Sequence, residues 1–238
     1  MSRRKVVLVT GGSRGIGAAI ARVFAASGYQ VAVNYRKSRA DATKVAATFG
    51  GIAVKGDVGR DADALIDGVV KAYGRLDVLV NNAGASDPKA WTDDLDAVTD
   101  EMWDRILETD LRGTFRCSRA AARVMEKGKI INVTSIPALT GEREGIVYSV
   151  AKAGVLGMTK SLAMMLAPRI QVNCMALGSV ATGWVEWLPP ALRKSYASAI
   201  PVARFGKPEE VGQLALFLAT NDWVTGQTYV LDGGESRV

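Results

Sequence analysis

The chain has 238 residues, 48% of them hydrophobic, a formal net charge of +6 and no histidine. That is enough apolar material for one well-buried domain, and the lack of histidine excludes His-based catalysis and His-ligated metal sites. Cys117 and Cys174 are too few for a disulfide framework and suit a reducing compartment, while basic residues dispersed among few aromatics disfavour nucleic acid as a partner.

Met1 to Lys5 is short and basic, and Gly11-Gly12 cuts off the apolar run behind it too early for a signal peptide or a membrane span, so a cytoplasmic protein is expected. The first predicted strand, Lys5–Thr10, ends in Thr10-Gly11-Gly12-Ser13-Arg14-Gly15-Ile16-Gly17. A helix over Ile16–Ser27 opens out of that turn, with Gly28 placed to close it. The second strand, Gln30–Tyr35, runs through Asn34-Tyr35 into Arg36-Lys37-Ser38 and a helix over Ala40–Phe49. A strand over Ile52–Gly56, the pair Asp57-Val58 and a helix over Ala62–Tyr73 follow, then a strand over Val78–Asn81 that leads into Asn82-Ala83-Gly84.

The acid-rich stretch Asp87–Asp100 has no metal-ligand pattern and reads as a solvated loop before one long helix, Glu101–Glu126, which carries Asp110. A strand over Lys129–Thr134 delivers Ser135, and a helix over Val147–Leu166 carries Tyr148 and Lys152 near its start. A strand over Gln171–Ala176 opens a longer non-strand stretch, Leu177 to Phe205, with Trp184, Trp187 and Pro189-Pro190. The helix over Pro208–Ala219 begins with Pro and two acids, as a helix N-terminus favours, and a strand over Gln227–Leu231 ends the series.

The strands are short Val/Ile/Leu runs without polar alternation, as expected of parallel strands covered on both faces, and each alternates with an amphipathic helix. No repeat, low-complexity tract or linker interrupts the pattern. The fold class expected is α/β: a single Rossmann-type, doubly wound domain spanning the chain, with a seven-stranded parallel sheet and helices on both faces.

A glycine-rich turn between a strand and a helix lets the backbone approach a pyrophosphate while the helix N-terminus points amide donors at it. The end of the second strand, where an acid would hold the ribose 2′-hydroxyl of NAD, has no acid before Asp41. Arg14, Arg36 and Lys37 would instead pair with the 2′-phosphate of NADP(H). Tyr148 and Lys152 stand at i, i+4 on one helix face, so an ammonium can approach a phenol and make it a better proton carrier.

With these pieces in order, the chain resembles the short-chain dehydrogenase/reductase family over essentially its whole length. Thr10-Gly11-x3-Gly15-x-Gly17 matches the family's glycine motif, Asn81-Asn82-Ala83-Gly84 its Asn-Asn-Ala-Gly motif, and Ser135, Tyr148 and Lys152 its catalytic residues. The resemblance implies NADP(H) contacts by Gly11, Ser13, Arg14, Gly15, Ile16, Gly17, Asn34, Tyr35, Arg36, Lys37, Asp57, Val58, Asn82, Ala83, Gly84, Tyr148, Lys152, Gly178, Val180 and Thr182. It also implies that Tyr148 donates the proton to a carbonyl oxygen, Ser135 hydrogen-bonds that oxygen, and Lys152 holds the nicotinamide ribose. Two positions depart from the pattern. Asp110 stands where a fourth catalytic residue is usually Asn, whose main-chain carbonyl holds a relay water, and Leu177 stands where Pro usually precedes Gly178.

Within the family, Ile200–Val211 and Gly226–Gly234 resemble 3-oxoacyl-[acyl-carrier-protein] reductases, though these segments report scaffold more than substrate. Residues 178–205 fall where the family has a mobile substrate lid, and Trp184, Val185, Trp187 and Leu188 there imply either an apolar substrate portion or ordinary packing or a subunit contact. Lys127, Lys129 and Arg169 fit solvated surface, or attraction to an acidic carrier protein or a CoA phosphate. The expected activity is NADPH-dependent reduction of a 3-oxoacyl thioester or similar ketone. A sugar or polyol dehydrogenase and a non-catalytic NADP(H)-sensing regulator stay open. A homotetramer is expected from the resemblance.

Overall fold

The computed structural model describes residues 4–85, 88–186 and 188–237, the side chain of Trp184 excepted. Seven parallel strands form one sheet: β1 Val6–Val9, β2 Gln30–Tyr35, β3 Ile52–Lys55, β4 Val78–Asn81, β5 Gly128–Ser135, β6 Ile170–Leu177 and β7 Thr228–Leu231. Their order across the sheet is β3-β2-β1-β4-β5-β6-β7. The chain reverses its winding between β1 and β4, so the connections after those two strands diverge and leave a crevice at their carboxyl ends.

Three helices, α1 Gly15–Ala26, α2 Arg39–Ala47 and α3 Ala62–Tyr73, follow the first three strands. Two short 3₁₀ turns, Pro88–Ala90 and Leu95–Ala97, occupy much of what the sequence suggested was plain loop. The remaining helices are α4 Asp100–Ile106, α5 Gly113–Val124, α6 Pro137–Thr140, α7 Ile146–Leu166, α8 Gly183–Glu186, α9 Pro190–Ala199 and α10 Pro208–Thr220.

The period-2 geometry of a strand sorts its side chains between two cores. In β1, Val7 and Val9 face a layer built by α1, α2 and α10, where Phe24, Val45 and Leu218 pack. Val6 and Leu8 face the opposite layer of α3, α5 and α7, with Leu65, Ile66, Cys117 and Leu162. Each such side chain, taken fully out of water, contributes roughly 1.5–3 kcal/mol of apolar transfer. That two-sided burial is why the strands read as continuous apolar runs.

Two expectations need correction. The predicted single helix Glu101–Glu126 is α4 and α5 joined by one turn of π-helix, Leu107–Arg112. Propensity and periodicity carry no sign of the extra residue in that turn. It packs against a distant segment, where a Cβ on Gly113 would meet Val58 at 2.8 Å, and the Thr114 hydroxyl closes locally on the Asp110 carbonyl at 2.7 Å. The second correction concerns Leu177 to Phe205, read as non-strand: Leu177 is the last residue of β6, and the remainder, which holds α8 and α9, has Pro190 as the first residue of α9. Among the described residues, no helix is long and apolar enough to cross a membrane.

Candidate active site

The carboxyl end of β1 is wired to its neighbours before any ligand is considered. Thr10 Oγ1 donates to the Val80 carbonyl (3.2 Å) and accepts the amides of Asn82 (2.9 Å) and Ala83 (3.0 Å). Asn82 Nδ2 donates to the Thr10 carbonyl (2.9 Å), and Asn34 Oδ1 accepts the Gly11 amide (3.2 Å) while its Nδ2 donates to the Gly56 carbonyl (3.0 Å). Asn34 and Asn82 therefore brace the glycine turn with their side chains, and Tyr35 is buried in the core. At Gly17 a Cβ would lie 2.5 Å from the Gly11 carbonyl oxygen, so only glycine lets the turn fold back against α1.

The N-terminus of α1 is left open. Arg14 occupies the cap position without a side-chain cap bond, and the first turn carries no acid. Its orphan amides and positive dipole end thus face the crevice, a built site for an anion. Gly15 has φ of +53° and lies against the Thr182 side chain, which links the glycine turn to the segment after β6.

Arg36 and Lys37, just beyond β2, are exposed, and so is Arg14 at the cap of α1. Arg36 also approaches Asp57 (3.6 Å), and Asp57 accepts the Gly59 amide (3.0 Å). Val58 is buried beneath it.

Ser135 ends β5, and its hydroxyl donates to the Leu177 carbonyl at 3.2 Å. Tyr148 and Lys152 lie in the first two turns of α7, which is tied to β5 by a bond from the Thr134 hydroxyl to the Lys152 carbonyl (2.9 Å). Lys152 Nζ sits 5.5 Å from the centre of the Tyr148 ring and donates to the Val133 carbonyl at 3.4 Å. Its ammonium is 3.2 Å from Asp110 Oδ2, with both side chains buried. Asp110 Oδ1 accepts the Ala85 amide at 2.6 Å, and Gly84 lies close against the carboxylate. Burial works against the Lys152 charge, but Asp110, with Tyr148 adding to it, outweighs that cost and raises the Lys152 pKa above its ordinary value.

The segment after β6 is fastened by the C-terminal tail. Glu235 accepts the Ser179 amide (2.7 Å) and the Ser179 hydroxyl (2.8 Å), and a Cβ on Gly178 would collide with Asp232. Val180 is buried and bridges to Gly206, so its backbone, not its side chain, borders the crevice. The side chain of Trp184 and all of Trp187 lie outside the described residues.

One residue that sequence reasoning missed is Trp91. Its ring packs on Tyr148 with centroids 5.3 Å apart, and Gly145 leaves room for it, since a Cβ there would lie 3.0 Å from the indole. No spacing rule connects position 91 to position 148. Burial pushes both Cys117 and Cys174 thiols up to about 12, which removes them as nucleophiles. Lys129 is buried rather than solvated and donates to the Asn221 carbonyl (2.8 Å) and Asp222 (2.7 Å), while Arg169 is exposed and donates to the Ala122 and Met125 carbonyls. With Lys127 they border a groove of about 810 Å³ at the amino ends of the strands, opposite Ser135.

The strand order places the uncapped glycine turn, Ser135, Tyr148 and Lys152 along the carboxyl edge of the sheet. A family model described as enoyl-(acyl carrier protein) reductase matches residues 11–236. The chain is 42% identical to a 3-oxoacyl-[acyl-carrier-protein] reductase of Synechocystis sp., over 97% of this chain and 96% of that protein. It is 38% identical to a protein of the same name from Staphylococcus aureus (98% and 99% covered) and 39% identical to one from Thermotoga maritima (97% of each). The chain belongs to the short-chain dehydrogenase/reductase family, whose members are oxidoreductases using a nicotinamide cofactor.

Proposed function

We propose that this protein uses NADPH to reduce the ketone of a 3-oxoacyl thioester to a secondary alcohol. The observation that carries the proposal is the convergence of Ser135, Tyr148 and Lys152 at the carboxyl edge of the sheet, across from the open N-terminus of α1. The α1 amides and the glycine turn suit the pyrophosphate; Arg14, Arg36 and Lys37 suit a 2′-phosphate; Thr182, Gly178 and the Val180 backbone suit the nicotinamide end. When bound, the cofactor supplies a hydride to the substrate carbon.

The chain's own part is to hold and protonate the oxygen. The Ser135 hydroxyl turns from the Leu177 carbonyl to donate to the substrate oxygen, which aligns the carbonyl against Tyr148. The Tyr148 hydroxyl gives its proton to that oxygen as negative charge develops there, and the Lys152 ammonium stabilises the phenolate left behind. Residues 178–205, with α8 and α9, act as a lid over the acyl portion. The enzyme works in the cytoplasm as a homotetramer.

The thioester is favoured because the three relatives above carry a 3-oxoacyl reductase name. An enoyl thioester is the second reading, favoured by the description of the matching family model. The test follows loss of NADPH absorbance with a 3-oxoacyl thioester, an enoyl thioester and a sugar ketone, each repeated with NADH. Turnover of the 3-oxo compound with NADPH in clear excess over NADH is expected. Equal efficiency with NADH refutes the 2′-phosphate assignment, and turnover confined to the enoyl compound refutes the ketone assignment.

A further inference from the structure

We infer that Asp110 is a positioning residue that acts through Lys152: its buried carboxylate fixes the ammonium and balances its charge, and so sets the pH range in which the site works. The inference rests on reading Ser135, Tyr148 and Lys152 as the reacting set. It concerns the one member of the cluster whose chemistry departs from the amide the family usually has there.

Three observations support it. The Asp110 side chain has no exposed surface, so it was placed inward at the cost of desolvating a carboxylate. Asp110 lies within the π turn, which packs against α7, the helix that carries Lys152. Its two oxygens are divided between two tasks. Oδ1 is fixed by the Ala85 amide at 2.6 Å. Oδ2 makes no aligned hydrogen bond among the described residues and faces the Lys152 ammonium at 3.2 Å. The main-chain carbonyl of Asp110 is meanwhile engaged by the Thr114 hydroxyl. The side chain is thus the group that reaches Lys152.

The charged and titratable groups facing this ammonium are Asp110 from the π turn, Tyr148 from α7 itself and Cys174 from β6; Val133 on β5 presents a carbonyl. Asp110 is the anion of the set. Asparagine would keep the shape and could still accept the Ala85 amide, but it would remove the charge. Two consequences then run in the same direction. Without its counter-ion the buried ammonium gives up its proton at lower pH. While still charged, it has no nearby anion offsetting its pull on the Tyr148 oxygen, so the phenolic proton also leaves at lower pH. Both limbs of a bell-shaped rate profile should move the same way, as coupled groups do.

The experiment measures alcohol oxidation against pH for the unaltered enzyme and for Asp110→Asn. The expected result is that the whole profile moves to lower pH, with both limbs shifted together, because a unit charge is removed from a buried site. A variant whose rate falls or rises with both limbs unmoved overturns the inference, since a purely structural role scales the rate without shifting the profile. A second measurement needs no substrate: near-ultraviolet titration of tyrosinate in cofactor-free protein, for the unaltered chain and for Asp110→Asn, each with its own Tyr148→Phe counterpart subtracted. The Tyr148 signal should emerge at lower pH in Asp110→Asn; the same midpoint in both overturns the proposal. If no ketone is turned over, this titration still decides the role of Asp110. Should Asp110→Asn not fold, ¹⁵N spectra of the unaltered protein decide, with the Lys152 ammonium assigned by its loss in Lys152→Met. Protonation persisting after the surface lysines have titrated supports the inference, and earlier loss overturns it.

Discussion

At the residue scale, the site separates groups that touch the reacting atoms from groups that hold them. Tyr148 is the proton carrier under the proposed function. Tyr148→Phe is expected to lower turnover by about 10²–10⁴-fold, the usual worth of a positioned general acid, while NADPH still quenches and shifts protein fluorescence on binding. Undiminished turnover would remove Tyr148 from the chemistry. Trp91 lies against the same ring, so it should form one wall of the acyl pocket. Trp91→Ala is expected to raise KM for long-chain 3-oxoacyl thioesters by roughly tenfold relative to short-chain ones, in line with the modest discrimination apolar walls provide. A uniform change across chain lengths would mean that Trp91 only supports Tyr148. The Tyr148–Lys152 spacing was visible in the chain because i, i+4 residues share a helix face. The Trp91 contact was not, because no local rule brings together two rings so far apart in the chain.

At the element scale, helix ends and interruptions position the chemistry. The open end of α1 is matched by the closed end of α10. There Glu210 accepts the Lys207 amide (2.7 Å) and a two-pronged contact from Arg204 (2.7 and 3.0 Å). The Arg204 hydrogen bonds, with the Lys207 amide, hold its carboxyl down from the ordinary 4.5 to about 2. Because the folded pKa is depressed, the stabilisation is present above the unfolded value and fades as pH falls from about 4.5 toward 2. The group is largely solvated, so its worth is small, about 0.5 kcal/mol for an exposed pair. Glu210→Gln should therefore lower the melting temperature by about two degrees at neutral pH, and by nothing measurable near the acid limit. A deficit that persists unchanged in acid would show that shape, not charge, matters at this cap. Sequence reading found this helix start from Pro208-Glu209-Glu210, a purely local signal. It missed the π turn, after which Gly113 lies close against Val58, a neighbour far away in the chain.

At the scale of the whole molecule, two cores share one sheet and leave apolar side chains on its outside. Met164 is 84% exposed at the end of α7, and Trp223 is 97% exposed beyond α10. Phe115 on α5 and Val150 on α7 are also open to solvent. Such surfaces on helices suit contacts with further copies of the chain. Light scattering is expected to give four times the chain's 25.3 kDa. A monomeric mass at working concentration would overturn the tetramer.

The sequence by itself determined the parallel α/β architecture, the glycine turn and the one-turn spacing of Tyr148 and Lys152. Each of these is written in short-range terms: apolar runs buried on both faces, glycines where a backbone must approach closely, and residues one helical turn apart. Only the tertiary structure decided that Asn34 and Asn82 brace the turn, that Asp110 enters a buried ion pair with Lys152, that Trp91 covers Tyr148, and that Lys129 is tied inward to Asp222 at the far end of the sheet. The physical reason is the same throughout. A polar or aromatic side chain has many acceptable partners, and which one it meets depends on the three-dimensional closure of elements far apart in the chain. Backbone geometry and burial periodicity depend on neighbours a few residues away.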